Sequence, residues 1–303
     1  MRNRTMQLVI SLFFFLFASM NLFANLPPQQ SMSVDMTVFS YDRPMQLYAF
    51  LESCEKYLIG LNDIHVIYRS SGEDYEEGYQ VVKKRFSNVI YHKQSLNPQE
   101  DFKPLVISSV FLTTSTSRYQ MFAVDDMIVT DYVNLEECTN AIERNNAWAF
   151  YLRLGKNITY CYMRRKASPP PPLKKVGADI LMWKFADGKG DWKYPNNTDM
   201  TIYRKNDLRY CLTFLNYTNP NTLEMRWTQL YNLEKKGICF TYSKAINIPL
   251  NIVNPSGNRH THSYTTLELL AKFARGYKID ISKTHQMRNK APHVDYDPTF
   301  IRR

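Results

Sequence analysis

Two adjacent carboxylates, Asp125 and Asp126, are the residues of this sequence best suited to chemistry. They directly follow an apolar run at 119–124 that is typical of a buried strand. Two acidic side chains at the end of one strand could hold a divalent cation against a diphosphate group. The alternative is a solvated turn after a strand, and an Asp-Asp pair alone does not decide between these interpretations.

Glu224 and a group of histidines are further candidates. Pro220 and Asn221 predict a helix start that places Glu224 in the first turn, where a carboxylate could take a proton from a hydroxyl group. The helix dipole would favour a Glu there without any catalytic role. The histidines of the C-terminal region are His260, His262, His285 and His293. Histidine can ligate a metal, although a lone His is more often a core or surface residue.

Alternating strands and helices must position these side chains. The pattern predicts strands at 36–41, 63–69, 88–91 and 119–124, separated by helices that begin near Pro44 and at about 75 and 103. The second half predicts helices at 135–154, 221–236 and 266–275 and strands at 201–204 and 238–242. This order predicts an α/β fold with a mixed, mostly parallel sheet flanked by helices. Ligands of such sheets gather at the carboxyl ends of the strands.

Three segments of the first half carry a family resemblance. They are Thr-Val-Phe-Ser-Tyr-Asp-Arg-Pro at 37–44, Tyr-Arg-Ser-Ser-Gly at 68–72 with Gly-Tyr at 78–79, and Phe-Ala-Val-Asp-Asp-Met-Ile at 122–128. These segments resemble the donor-binding half of GT-A nucleotide-sugar glycosyltransferases, especially family-2-like ones. The resemblance implies a Rossmann-like GT-A fold and a nucleotide-sugar donor. The donor-binding residues that it implies are Ser40, Tyr41, Arg43, Arg69, Ser71 and Asp125.

The Asp pair resembles the metal-binding Asp-x-Asp element of that family. The implied cofactor is a divalent metal, Mg or Mn, held by Asp126 and Asp125, with His293 completing the shell from a C-terminal closing segment. Met127 stands where the second Asp of that element is expected. This departure motivates a second hypothesis, an exported non-catalytic module that binds glycans or proteins on a degenerate transferase fold.

Segments of the second half resemble the acceptor side of the same enzymes. They are residues 187–192, 199–204 and 220–227, and Glu224 resembles the family's catalytic base. The resemblance implies an inverting transfer to the hydroxyl group of a glycan, lipid or protein. Trp183, Trp192 and Trp227 could stack on sugar rings, although a core position is the default for each.

Composition limits the other classes of function. The chain has 303 residues, 44% of them hydrophobic, and a net charge of +10, which excludes disordered and collagen-like proteins. Its short basic clusters, at 83–85, 164–166 and 174–175, do not predict a nucleic-acid groove, and a nucleotide diphosphate is the favoured anionic partner. The sequence has no GxGxxG, P-loop, HExxH or GxSxG motif. Its five cysteines form no CxxC pair and are expected to be buried thiols, with disulfides as an alternative if the protein is exported.

The N-terminal residues resemble a targeting segment. Arg2 and Arg4 precede an apolar run at 8–18, and Ala24 follows at a plausible cleavage point. The pattern predicts a signal peptide at 1–24, or a signal anchor whose residues 6–24 associate with a membrane. A linker at 25–34 and a transferase-like domain at 35–303 follow, the latter divided into a donor half (35–131) and an acceptor half (132–303). The domain is expected on the non-cytoplasmic side, exported or membrane-anchored.

Overall fold

The chain forms a layered α/β structure, seen here in a computed structural model that describes residues 31–112, 114–253 and 263–303. Met32–Arg303 form one compact unit. The segment predicted as a signal peptide or anchor lies outside the described residues, as do most of the predicted linker and His260 and His262. None of the helices in the described ranges is long and apolar enough to cross a membrane.

The helices and strands alternate through the first half of the chain. The α-helices are α1 (Pro44–Tyr57), α2 (Glu73–Arg85), α3 (Pro98–Val110), α4 (Leu135–Arg144), α5 (Lys205–Phe214), α6 (Pro220–Trp227) and α7 (Thr266–Ala274). The strands are β1 (Ser31–Tyr41), β2 (Leu58–Ile59), β3 (Leu61–Arg69), β4 (Ile90–Lys93), β5 (Ser117–Val124), β6 (Met127–Val129), β7 (Val133–Asn134), β8 (Ala149–Tyr151), β9 (Tyr160–Cys161), β10 (Lys166–Ala167), β11 (Lys174–Lys175), β12 (Ile180–Lys184), β13 (Thr201–Arg204), β14 (Lys236–Phe240), β15 (Ala245–Asn247), β16 (Tyr277–Ile279) and β17 (Phe300–Arg302).

One large sheet joins strands from both halves of the chain. Its order is β11-β12-β14-β8-β13-β5-β1-β3-β4. Strands β1, β3 and β4 pair in parallel, whereas β13 is antiparallel to both β5 and β8, and β12 is antiparallel to β11 and β14. The predicted α/β class with a mixed central sheet flanked by helices is confirmed. The second half of the chain supplies most of the antiparallel pairs.

Strand β1 shows why this sheet is covered on both faces. Its alternate residues Met36 and Val38 belong to one apolar core with Phe50 of α1, and Phe39 belongs to a second core with Phe102 of α3. Successive side chains of a strand point to opposite faces, so a strand covered on both sides reads as a continuous apolar run. The run at 36–41 therefore identified a central strand.

The ends of three helices differ from those that the sequence predicts. The helix predicted at 135–154 ends at Arg144, because Asn146 takes a left-handed conformation (φ 46°) and the chain then forms β8. The helix predicted at 221–236 ends at Trp227, since β14 must begin at Lys236 to pair with β12. The helix predicted from 103 begins at Pro98, where proline suits the first turn.

The cysteines and three tryptophans are structural. All five cysteines are buried and free, as the sequence predicts. Trp183, Trp192 and Trp227 are at most 2% exposed and pack in the second apolar core. They are therefore not available to stack on a sugar.

Candidate active site

A tight turn after β1 places Arg43 at the carboxyl end of that strand. Asp42 adopts a left-handed conformation (φ 53°), which Asp tolerates better than most residues. Its carboxylate accepts a hydrogen bond from the backbone N–H of Ser71 (2.8 Å). Pro44 then begins α1 directly. The local sequence Tyr-Asp-Arg-Pro thus turns the chain out of the sheet and into a helix within two residues.

Arg43 bridges the two candidate carboxylates. Its Nη1 lies 3.0 Å from Asp125 Oδ1 and 3.1 Å from Asp126 Oδ2. On its other side, Nε donates to Asn251 Oδ1 (2.8 Å) and Nη2 donates to the Asn251 carbonyl (2.6 Å). All three charged residues are less than 10% exposed. Removal of Arg43 from this group would leave two buried carboxylates uncompensated, which is strongly destabilising.

The two carboxylates carry more negative charge than one guanidinium neutralises. Asp125 Oδ2 accepts hydrogen bonds from Ser40 Oγ (2.9 Å) and the Tyr41 backbone N–H (3.2 Å). Burial raises the pKa of Asp125, and burial, together with repulsion from Asp125 and Asp199, raises the pKa of Asp126 to about 6. The pair therefore offers an electrostatic site for a further cation.

A cavity of about 300 Å³ opens beside Asp125, where β1, β3 and β5 end. Five of the predicted donor-binding residues line it: Ser40, Tyr41, Arg43, Arg69 and Asp125. The Arg69 guanidinium lies 4.8 Å from the centre of the Tyr41 ring, and together they form one wall. Ser71, the sixth predicted residue, does not line this cavity. It is exposed, and its backbone supports the Asp42 turn.

The residues near Asp126 fit an oxygen-ligated divalent cation. Asn247 donates from Nδ2 to Asp126 Oδ1 (2.7 Å), while its own Oδ1 is buried with no hydrogen-bond partner in the part of the chain that the structure describes. No group of three or more His, Cys, Asp or Glu side chains in the described ranges could hold a metal. Mg²⁺ sites commonly use only one or two carboxylates and complete the shell with water and substrate phosphates. Asp126 and Asn247 supply that kind of partial shell.

His293 lies next to this edge of the site. Its backbone bridges to Asn247, the residue that bonds to Asp126, and its ring stacks on Tyr162 with 5.8 Å between the ring centres. His293 also acts electrostatically on Asp126, lowering the pKa of that carboxyl. The sequence predicts Asp125, Asp126 and His293 as metal ligands, but the described ranges do not gather these three side chains into a group that could hold a metal. His293 is linked to Asp126 through Asn247 and through its charge.

Glu224 belongs to a second group of polar side chains. It is the fifth residue of α6, so it lies beyond the first turn predicted for it, because the helix begins at Pro220. Oε1 accepts a hydrogen bond from Thr198 Oγ1 (3.0 Å), and Oε2 accepts one from the Tyr194 hydroxyl (3.3 Å). Burial, with added repulsion from Asp199, raises the pKa of Glu224 to about 7. A carboxylate with this pKa is suited to general-base chemistry near neutral pH.

Arg153 and Asp199 lie near Glu224, and sequence reasoning gave neither residue a role of its own, although 199–204 is one of the segments that resemble the acceptor side. Arg153 is 3% exposed, and its Nη1 lies 3.2 Å from Asp199 Oδ2 and 3.6 Å from Asp191 Oδ1. Asp199 raises the pKa of both Asp126 and Glu224, so its charge acts on both groups. The next residue, Met200, takes a left-handed conformation (φ 49°), a strain that often accompanies functional sites.

The remaining residues that sequence reasoning missed are amides and a tyrosine. Asn247 and Asn251 lie in and just after β15, and no local pattern marks them. The Tyr79 hydroxyl, on α2, contacts Ser40 Oγ (2.7 Å) and accepts a hydrogen bond from the Arg43 backbone N–H (3.2 Å). Gly-Tyr at 78–79 was the one signal for it, since this pair belongs to the segments that resemble the donor-binding half. In the structure, a Cβ at Gly78 would approach Pro44 Cγ to 2.7 Å.

The sequence is similar to a protein named as a glycosyltransferase over part of its length. It is 32% identical over 187 residues to the bifunctional glycosyltransferase pgtA of Dictyostelium discoideum. The match covers 56% of this chain, but the chain spans only about a quarter (24%) of that relative. No family model matches the sequence.

Several solved structures are partly similar. They include S. aureus TarS 1–349 (TM-score 0.45, 14% identity, 69% of this chain and 58% of TarS) and its complex with UDP (0.40, 14%, 59% and 48%). A third is 4-diphosphocytidyl-2C-methyl-D-erythritol synthase of Anaerococcus prevotii (0.39, 10%, 82% and 100%). With TM-scores below 0.5, these likenesses lead to no conclusion about this chain. The sequence relationship to pgtA confirms the predicted resemblance to glycosyltransferases.

Proposed function

We propose that the protein is a glycosyltransferase that moves a sugar from a nucleotide-sugar donor to a hydroxyl group of a glycan, lipid or protein. The observation that carries the proposal is the cavity at the carboxyl ends of β1, β3 and β5, which ends at the buried Asp125. Ligands of α/β sheets bind at this edge. The relationship to pgtA over 187 residues supports the same class of reaction.

The donor is proposed to bind with its nucleoside in this cavity. Tyr41 and Arg69 offer a flat aromatic and guanidinium surface for a base, and Ser40 and Asp125 offer polar atoms for a ribose. The diphosphate then lies toward Asp126. A divalent cation, Mg or Mn, held by Asp126 with Asn247 Oδ1 and His293 nearby, would supply charge neutralisation to the leaving diphosphate.

Glu224 is proposed as the base of an inverting transfer. It removes the proton from the acceptor hydroxyl while that oxygen attacks the anomeric carbon of the donor. The new bond joins the acceptor oxygen to the anomeric carbon, and the bond from that carbon to the diphosphate oxygen breaks. The proton remains on Glu224, and the nucleoside diphosphate leaves with the bonding electrons. The Thr198 and Tyr194 hydrogen bonds hold the Glu224 carboxylate in place for this step.

Calorimetry with nucleoside diphosphates tests the proposal directly. We expect UDP, GDP or another member of this class to bind more tightly with Mg²⁺ or Mn²⁺ than with EDTA, and we expect a panel of nucleotide sugars to identify a hydrolysed donor. Asp125→Asn should abolish the binding. The control is Asp131→Asn, which removes a carboxylate that pairs with Lys244 (2.6 Å) and should leave the binding unchanged. If no nucleoside diphosphate binds under either condition, the protein is instead a non-catalytic binding module.

A further inference from the structure

A hairpin of basic residues borders the candidate active site. This basic hairpin consists of residues 160–167, with β9 and β10 as its strands and Arg164, Arg165 and Lys166 at its tip and along its return strand. All three basic side chains are exposed. Arg165 takes a left-handed conformation (φ 49°) and closes the turn.

The sequence around the hairpin carries charges of one sign only. Between residues 154 and 178 the sequence has six basic residues and no acidic one; they are Lys156, Arg164, Arg165, Lys166, Lys174 and Lys175, all of them exposed. A mixed surface of both signs is the ordinary arrangement for a solvated face. Lys174 and Lys175 belong to β11 at the edge of the large sheet, whereas Arg164, Arg165 and Lys166 are consecutive in the hairpin, so the charges of these three act together on anions near its tip.

Contacts fix the basic hairpin beside the site. The Tyr162 ring stacks on His293, whose backbone bridges to Asn247, and Asn247 donates to Asp126. The backbone N–H groups of Thr159 and Tyr160 both donate to the Lys290 carbonyl at 2.9 Å. The base of the hairpin is therefore linked to Asp126 through His293 and Asn247.

Further basic side chains extend the same surface. Lys156 and Arg288 lie over the Tyr242 ring, at 4.7 and 4.3 Å from its centre, and Lys290 is exposed at the base of the hairpin. Two acidic residues also contact the hairpin. Asp295 accepts a hydrogen bond from the Tyr162 hydroxyl (2.5 Å), and Asp191 interacts with the Cys161 thiol. Neither of these contacts involves the exposed side chains of Arg164, Arg165 and Lys166 at the tip.

We propose that the basic hairpin binds an anionic glycan acceptor, one that carries carboxylate, phosphate or sulfate groups. This inference rests on the proposed function, since a molecule that reaches the hairpin beside Asp126 and His293 is one that enters the site. Exposed basic side chains at the rim of a site contribute mainly by steering and by salt-dependent attraction. A glycan with repeated negative charges can contact several of these side chains at once.

Fluorescence anisotropy of a labelled heparin oligosaccharide tests the proposal, with a neutral dextran oligosaccharide of equal length as comparison. We expect the heparin probe to bind and the dextran not to, and we expect the binding to be lost at about 1 M salt, where the Debye length is about 3 Å. Arg164→Glu/Lys166→Glu should weaken binding by about tenfold. Arg165 is left unchanged because of its left-handed backbone.

The matched control is Lys56→Glu/Lys84→Glu, which makes the same change of charge at exposed positions of α1 and α2. Equal weakening by both double variants would overturn the proposal, because it would show a response to net charge alone. Tighter binding of an RNA oligonucleotide or of anionic phospholipid vesicles than of the heparin probe would also overturn it. The assay needs neither donor nor turnover, so its failure is distinguishable from failure of the proposed glycosyltransferase activity.

Discussion

The two carboxylate groups of the candidate site are built in different ways. Asp125 and Asp126 follow one strand, and their partner Arg43 follows another, so two short local motifs supply most of that group. Glu224, Asp199 and Arg153 come from α6, the residue pair before β13 and a loop after β8. The proposed donor side, Asp125, Asp126 and Arg43, thus depends on strand ends, whereas the proposed acceptor side, Glu224, Asp199 and Arg153, depends on how distant segments pack.

The largest effect is expected from loss of the base on the acceptor side, with the donor side left intact. Glu224→Gln should reduce kcat for sugar transfer by about 10²–10⁴-fold, the range for loss of a general base, because the amide cannot take the acceptor proton. Nucleoside diphosphate binding should be unchanged in calorimetry. Glu234→Gln, at an exposed pair with Lys184, is the control. Activity near that of the wild type in Glu224→Gln would remove Glu224 from the proposed mechanism.

The second largest effect is expected from loss of the Asp126 carboxylate on the donor side. Asp126→Asn should lower donor turnover by about 10²–10³-fold, as expected for loss of electrostatic stabilisation of the leaving group. Its measurement is donor hydrolysis and transfer, with circular dichroism to show that the fold is retained. Unlike Glu224→Gln, this variant should also lose the strengthening of nucleotide binding by Mg²⁺ or Mn²⁺. If that metal response persists, the cation is held elsewhere.

Stability distinguishes the donor side from an ordinary surface pair. Arg43→Met should lower the free energy of unfolding by about 3–5 kcal/mol, since it leaves two buried carboxylates uncompensated. Arg85→Met, which removes an exposed pair with Glu55, should cost about 0–1 kcal/mol. Urea unfolding measures both values. Similar losses in the two variants would contradict the buried role of Arg43.

The pH dependence of kcat/KM tests the role of Asp199. The base is active when Glu224 is deprotonated, so kcat/KM should rise with pH and reach half its maximum near the Glu224 pKa of about 7. Asp199 raises that pKa, so Asp199→Asn should shift the acidic limb to lower pH. Asp207→Asn, which removes a carboxylate that pairs with Arg204, should leave the limb in place. An unshifted limb in Asp199→Asn would separate Asp199 from the base.

The smallest effect concerns stability and pH. Because folding raises the pKa of Glu224, its stabilising contribution is present below its ordinary pKa and is lost as pH rises through about 7. Wild-type protein should therefore lose stability relative to Glu224→Gln as pH rises through this window, by chemical denaturation at a series of pH values. A parallel pH dependence in the two proteins would contradict the raised pKa.

Local sequence predicted the position of the paired carboxylates. The apolar run at 119–124 identified Asp125 and Asp126, because strand ends have short-range signatures, whereas Arg43 was predicted from the resemblance to GT-A glycosyltransferases. Asn251 had no such signature. It meets Arg43 across 208 positions of the chain, and that contact exists only once the segment after β15 packs on the site.

By itself, the sequence determined the α/β class, the central strands and the paired carboxylates, because alternation of apolar residues and turn chemistry act over a few residues. Only the tertiary structure decided that Arg43 bridges both carboxylates, that Glu224 lies beyond the first turn of α6, and that Asp199 acts electrostatically on both groups. The physical reason is that pairing and burial of charges depend on contacts between distant segments, and these contacts leave no periodic pattern in the chain.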